Sequence, residues 1–153
     1  MNVALINPFL VAIHGVFDTM VHVPVKLGKP ILKRVQEPSF IVSATIMLSG
    51  SVNGTVALRL SQRTALALAS GLAGVELKIF DDDCLDAIGE IASIVSGSAK
   101  KELSAQHTNI SIPKINLGIP KREETVPATI VIPCLTKVGD FALEVSLSET
   151  LKT

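Results

Sequence analysis

The chain of 153 residues balances 14 Lys plus Arg against 14 Asp plus Glu, and it holds five Phe but no Tyr and no Trp. A duplex or RNA binder needs surplus cations to displace counterions, and a single-strand binder stacks bases on aromatic platforms, so this composition excludes nucleic acid as a partner. It shows no basic amphipathic helix for a membrane surface, and its nearly uncharged stretches, such as Ala65 to Val75, are too short to span a bilayer.

Taken in chain order, Asn7-Pro8 reads as an N-cap followed by a first-turn proline. The spacing of Leu10, Ile13, Phe17 and Met20 then predicts a helix to about Val23, broken by Pro24, Gly28 and Pro30. The Ile-, Val- and Thr-rich run from Ser39 to Leu48 predicts a strand. Gly50-Ser51-Val52-Asn53-Gly54 predicts a turn, and Thr55 to Leu60 a second strand of one hairpin. Ser61 caps a short predicted helix that Gly71 and Gly74 end. Asp81-Asp82-Asp83 opens a longer one, Asp82 to about Ser104. The C-terminal third reads as strands. Thr129 to Leu135 and Phe141 to Leu147 form a hairpin about Val138-Gly139-Asp140.

The length fits one domain over residues 1–153, and 48% hydrophobic against 18% charged residues places it among compact chains rather than disordered ones. No Lys or Arg precedes the apolar run of Met1 to Gly15, as a secretory leader would require. Two cysteines, Cys84 and Cys134, imply no disulfide framework, and a cytoplasmic setting is expected. The fold class is α+β, with two long helices on an antiparallel sheet. Leu27-Gly28-Lys29-Pro30 is similar to Leu117-Gly118-Ile119-Pro120. Lys33-Arg34 with Glu37-Pro38 is similar to Lys121-Arg122 with Glu124 and Pro127. Each block leads into a hairpin, so a duplicated unit with pseudo-two-fold symmetry is expected.

The helix from Asp82 carries the chemistry. At about 100° per residue, Leu85, Ile88, Ala92, Val95, Ala99 and Leu103 form one apolar stripe, and Asp86, Glu90, Ser93, Gly97 and Lys101 lie opposite. Glu90 and Ser93 are three apart, so their side chains are neighbours. Gly97, one turn on, leaves room for another backbone. Such a strip fits a docking face, and it fits an ordinary solvated helix face as well. Asp82-Asp83-Cys84-Leu85-Asp86 matches the Asp-Asp-x-x-Asp pattern of Mg²⁺-diphosphate enzymes. Those are large all-helical proteins, so the acids read as helix capping and dipole compensation. His14, His22 and His107 lack metal-ligand spacing. Acids beside Cys84 raise its pKa, and Cys134 reads as core.

Leu85-Asp86-Ala87-Ile88-Gly89-Glu90-Ile91-Ala92-Ser93-Ile94-Val95-Ser96-Gly97 resembles the active-site helix of the CheX/CheC chemotaxis phosphatase family, which carries Ala-Ile-Gly-Glu-x-x-Asn and then small residues with Gly. The turn at Gly50 and the Ser-x-x-Thr-Ala-Leu that begins at Ser61 resemble the hairpin and following helix of that family, and Gly28-Lys29-Pro30 matches the segment after its first helix. The resemblance implies a partner: a phosphorylated CheY-type receiver, which supplies Mg²⁺ itself, so no cofactor of the chain's own is expected. It implies that Glu90 pairs with the receiver's lysine and that position 93 orients water in line with phosphorus. It extends the partner face to Asp86, Ile94, Gly97 and Lys101. It further implies a homodimer, and flagellar switch proteins share the fold.

The chain departs from the family pattern at Ser93, where the family has Asn. Serine offers one hydroxyl on a short arm, and in a helix it tends to bond back to a carbonyl one turn earlier. Weak or absent phosphatase activity with receiver binding partly kept is the expectation, and a non-catalytic scaffold or a flagellar-switch-like component are the alternatives. Pairing Ala12-Ile13 with Ala87-Ile88 sets Gly15 opposite Glu90 and Asp18 opposite Ser93. No acid–amide pair stands there, so at most one site per chain is expected.

Overall fold

The computed structural model describes residues 3–34, 37–105, 107–119 and 128–149. In chain order these are α1 (Val3–Val16), a π-helical turn (Phe17–Val21), β1 (Lys26–Leu27), β2 (Ile31–Leu32), β3 (Val42–Gly50) and β4 (Val52–Leu60). Then come α2 (Gln62–Ala73), α3 (Asp82–Ala105), β5 (Thr108–Ile110), β6 (Lys114–Leu117), β7 (Ile130–Leu135) and β8 (Phe141–Glu149). The architecture is α+β, as expected.

Both predicted hairpins form, β3 with β4 and β7 with β8, and β4 pairs with β8 to join them at the centre of the sheet. The antiparallel order is β1-β7-β8-β4-β3-β5, with β2 also on β7 and β6 also on β3. Alternation assigns the inner face. Val42, Ala44, Ile46 and Leu48 of β3, Val56, Leu58 and Leu60 of β4, and Phe141, Leu143 and Val145 of β8 are all buried. The helices cover that face and share one core with it, in which the Phe17 and Phe141 rings stack with centroids 5.1 Å apart. On the outer face Lys33 bridges to Glu144 of β8 at 2.6 Å. Among the described residues no helix is long and apolar enough to cross a membrane.

Four local expectations are corrected. First, α1 starts at Val3 and carries Pro8 inside it, rather than starting there. As the sixth residue of the helix, Pro8 has no N–H to give the carbonyl four residues back, so the first turn is held by one bond fewer. Second, Met20 is exposed and Val21 is buried. The π-helical turn has i→i+5 bonds and winds more slowly, so the inward residue after Phe9, Ile13 and Phe17 is Val21, four on from Phe17, rather than Met20. Third, Gly71 lies within α2. Gly74 ends it in the left-handed region at φ 73°. Gly71 serves close approach instead: a Cβ there would collide with the Val21 carbonyl oxygen. Fourth, the buried stripe of α3 is wider than predicted. Cys84, Ile91 and Ser96 join Ile88, Ala92, Val95, Ala99 and Leu103, while Leu85 is half-buried. The cause is that α3 contacts α1, α2 and the sheet together. Of the expected duplication, Pro120 to Pro127 of the second block lie outside the described residues.

Ser61 caps α2 as predicted, its hydroxyl accepting from the Thr64 amide at 3.1 Å. The two helical glycines then make opposite predictions. Gly71→Ala forces α2 away from the Val21 backbone and destabilises the protein by about 1–3 kcal/mol. Gly97→Ala meets nothing within 4 Å and stabilises it by up to about 1 kcal/mol. Thermal unfolding of the two variants should therefore shift Tm in opposite directions.

Candidate functional site

Helix α3 is aimed by its start. The Asp81 carboxylate accepts the Cys84 amide at 3.2 Å, and Asp82 and Asp83 sit in the first turn, where the helix dipole favours acids. Burying one side of α3 against three neighbours turns the other side to solvent. Asp86, Glu90, Ser93, Gly97 and Lys101 are all exposed, so the predicted strip is real. Among the described residues neither Glu90 nor Ser93 has a side-chain hydrogen bond or ion-pair partner. The i, i+3 spacing sets their Cβ atoms about 5–6 Å apart. A free carboxylate and a free hydroxyl thus stand side by side. The carboxylate can receive a cation, and the hydroxyl can donate to or accept from a water.

Ser93 does not bond back into its own helix as anticipated. That bond belongs to the next serine: the Ser96 hydroxyl donates to the Ser93 carbonyl at 3.1 Å. The difference is solvation. Ser96 is 6% exposed, so its hydroxyl must find a local acceptor, whereas Ser93 faces water. Gly97 has open space at its missing Cβ, which fits the room anticipated for an approaching backbone.

Ile94 is set apart from the other predicted partner residues. It is half-buried and turns from the strip into a groove between α1 and α3 with a volume of about 370 Å³. Val11, Gly15 and Met20 line this groove from the α1 side, and Ile94, Ser98 and Glu102 from α3. Val11 is 72% exposed and Met20 44%. The spacing that puts Leu10, Ile13 and Phe17 on one side sets Val11 off it, so its exposure follows from the helical period although the residue is apolar. Gly15 and Asp18, the residues set opposite Glu90 and Ser93, are both exposed, and the Thr19 hydroxyl donates to the Gly15 carbonyl at 2.7 Å. Among the described residues no group of three or more His, Cys, Asp or Glu side chains gathers as a metal site.

The family model for the chemotaxis phosphatase CheX matches residues 42–134, a span that includes all of α3. The chain is 24% identical over 152 residues to the CheY-P phosphatase CheX of Thermotoga maritima, covering 96% of this chain and 97% of that one. It is similar in structure to the chemotaxis protein CheX of Desulfovibrio desulfuricans, with a TM-score of 0.80 and 26% identity over 94% of this chain and 99% of that one. It is also similar to a chain of the CheX–CheY–BeF3–Mg complex from Borrelia burgdorferi, with a TM-score of 0.78 and 26% identity over 94% and 97% of the two chains.

The two cysteines take no part in the exposed strip. Both are buried and free. Burial, then the neighbouring Asp81 charge, pushes the Cys84 thiol above its ordinary value. Burial pushes Cys134 up to about 12, partly offset by a backbone hydrogen bond from Leu143. The thiolate is the reactive form, so a raised pKa lowers reactivity at a given pH. At pH 8 both thiols should react with a disulfide reagent at least about tenfold more slowly than in urea-unfolded protein. Asp81→Asn keeps a capping side chain and removes the charge. It should speed Cys84 and leave Cys134 unchanged, as peptide mapping of the labelled protein will report.

Proposed function

The chain belongs to the chemotaxis phosphatase CheX family, and from that premise we propose that it acts on the aspartyl phosphate of a CheY-type receiver. The observation that carries this is the unpartnered Glu90–Ser93 pair on the solvent face of α3, at the positions where the family motif has Glu and Asn. The solved complex of a similar CheX with CheY supports a receiver as the partner. Glu90 takes the receiver's active-site lysine as its ion-pair partner and so fixes the register of docking. Ser93 then stands over the phosphorus, and its hydroxyl holds the attacking water. Phosphoryl transfer of this kind depends on positioning and charge stabilisation more than on covalent help. The Mg²⁺ that balances the phosphoryl charge comes with the receiver. Asp86, Gly97 and Lys101 flank the contact. Gly97 lets receiver backbone approach, and Lys101 and Asp86 lie at its two ends. The protein works in the cytoplasm, as a homodimer, which light scattering of the pure protein tests.

Serine reaches less far than asparagine and offers one hydroxyl in place of an amide. Its freedom from any back-bond leaves it available to water, so activity is reduced rather than abolished. Ser93→Asn should raise the dephosphorylation rate of an acetyl-phosphate-charged receiver by about 10- to 100-fold. A wild-type rate equal to or above that of the variant overturns the assignment of Ser93. Glu90→Ala should remove both binding and turnover. The short serine arm also favours a second reading, a binding module that kept the docking helix without the chemistry. In that case the receiver is captured and its phosphate lifetime does not change.

A further inference from the structure

We infer that the groove between α1 and α3 is a second contact surface for the same receiver, filled by an apolar segment of it. The inference rests on the proposed receiver partnership and adds where the binding energy is found. A stable protein interface takes about 20–30 residues from each side. The strip of α3 from Asp86 to Lys101 supplies five, and none of them is a large apolar group. The contact must therefore spread beyond α3. It spreads towards α1, because Ile94, one turn past Glu90 and next to Ser93 in sequence, turns into the groove. A partner of ordinary domain size has a radius of gyration of roughly 13–15 Å. Ile94 and Ser98 of the groove lie about 6 and 12 Å from Glu90 along the helix axis. A receiver centred on Glu90 and Ser93 thus reaches the near part of the groove.

The groove has the surface such a contact needs. Val11 and Met20 present apolar side chains to solvent that no part of the described chain covers, and among the described residues Glu102 is the only charged group lining it. The occupant is therefore apolar along most of its length. Gly15 sits on the groove with nothing within 4 Å of its missing Cβ. A glycine inside a helix lowers stability by roughly 1 kcal/mol relative to Ala, and nothing among the described residues uses the space it leaves.

Gly15→Leu separates docking from structure. A Cβ at this position meets nothing within 4 Å, the groove beyond it is open, and leucine has the better helix propensity, so the variant should keep or raise Tm while plugging the groove. With a CheY-type receiver charged with beryllofluoride and Mg²⁺ as the probe, Kd by calorimetry should rise at least tenfold for Gly15→Leu and for Val11→Glu. Glu90→Ala is run beside them. Loss of binding in Glu90→Ala with wild-type Kd in both groove variants overturns the groove and leaves the proposed function standing. No binding of the wild type overturns the proposed function and this inference together.

Discussion

Everything at the candidate site follows from one packing constraint on α3. The helix lies in a trough formed by α1, α2 and the sheet, and Ala92 and Ala99 let it sit deep there. A helix fixed so firmly has no rotational freedom. Its buried side sets its solvent side residue by residue, and Glu90 and Ser93 reach water because Ile88, Ile91, Ala92 and Val95 cannot. The burial is worth a great deal. Each large apolar side chain taken fully from water contributes about 1.5–3 kcal/mol. That energy holds Glu90 and Ser93 on a rigid backbone, which suits a chemistry whose main demand is position.

Much of this was legible in the sequence, and the parts that were not share physical causes. The hairpins were visible because Ile-, Val- and Thr-rich runs bounded by glycine turns are a strong signal, although β4 starts at Val52, inside the turn expected over Gly50 to Gly54, and Ser61 and Asp81 marked helix starts through capping chemistry. The solvent strip of α3 was visible because 24 residues give the helical period many chances to repeat. Strands β1, β2, β5 and β6 were not visible, since two to four residues cannot show alternation. The inward turn of Val21 escaped because a π-helical turn breaks the period on which the expectation depends. Gly71 looked like a terminator because glycine usually is one, and only the Val21 backbone beside it gives its real role.

The site divides along the same line. Glu90, Ser93 and Gly97 lie on one helix, so spacing alone groups them. The groove joins residues more than 70 positions apart, and no local pattern brings Val11 to Ile94. The orientation of the Ser93 hydroxyl was beyond sequence for a different reason. Two serines three apart compete for local acceptors, and burial decides which of them must bond.

Pro133 has an effect at the far edge of the sheet. The Gly28 amide donates to its carbonyl at 2.7 Å, so the side of β7 that lacks an N–H is the side facing β1 and β2. The neighbouring strand breaks there: Lys26 and Leu27 pair beside Cys134, Ile31 and Leu32 pair beside Val131, and Gly28 to Pro30 do not continue the ladder. The opposite edge is also interrupted, with Pro113 between β5 and β6. Among the described residues, a foreign strand seeking to extend this sheet finds edge strands of at most four consecutive residues. Broken edges of this kind are how β proteins avoid templating their own aggregation. A chain with zero net charge has little electrostatic repulsion to keep its copies apart, and here that protection comes from the interrupted edges of the sheet.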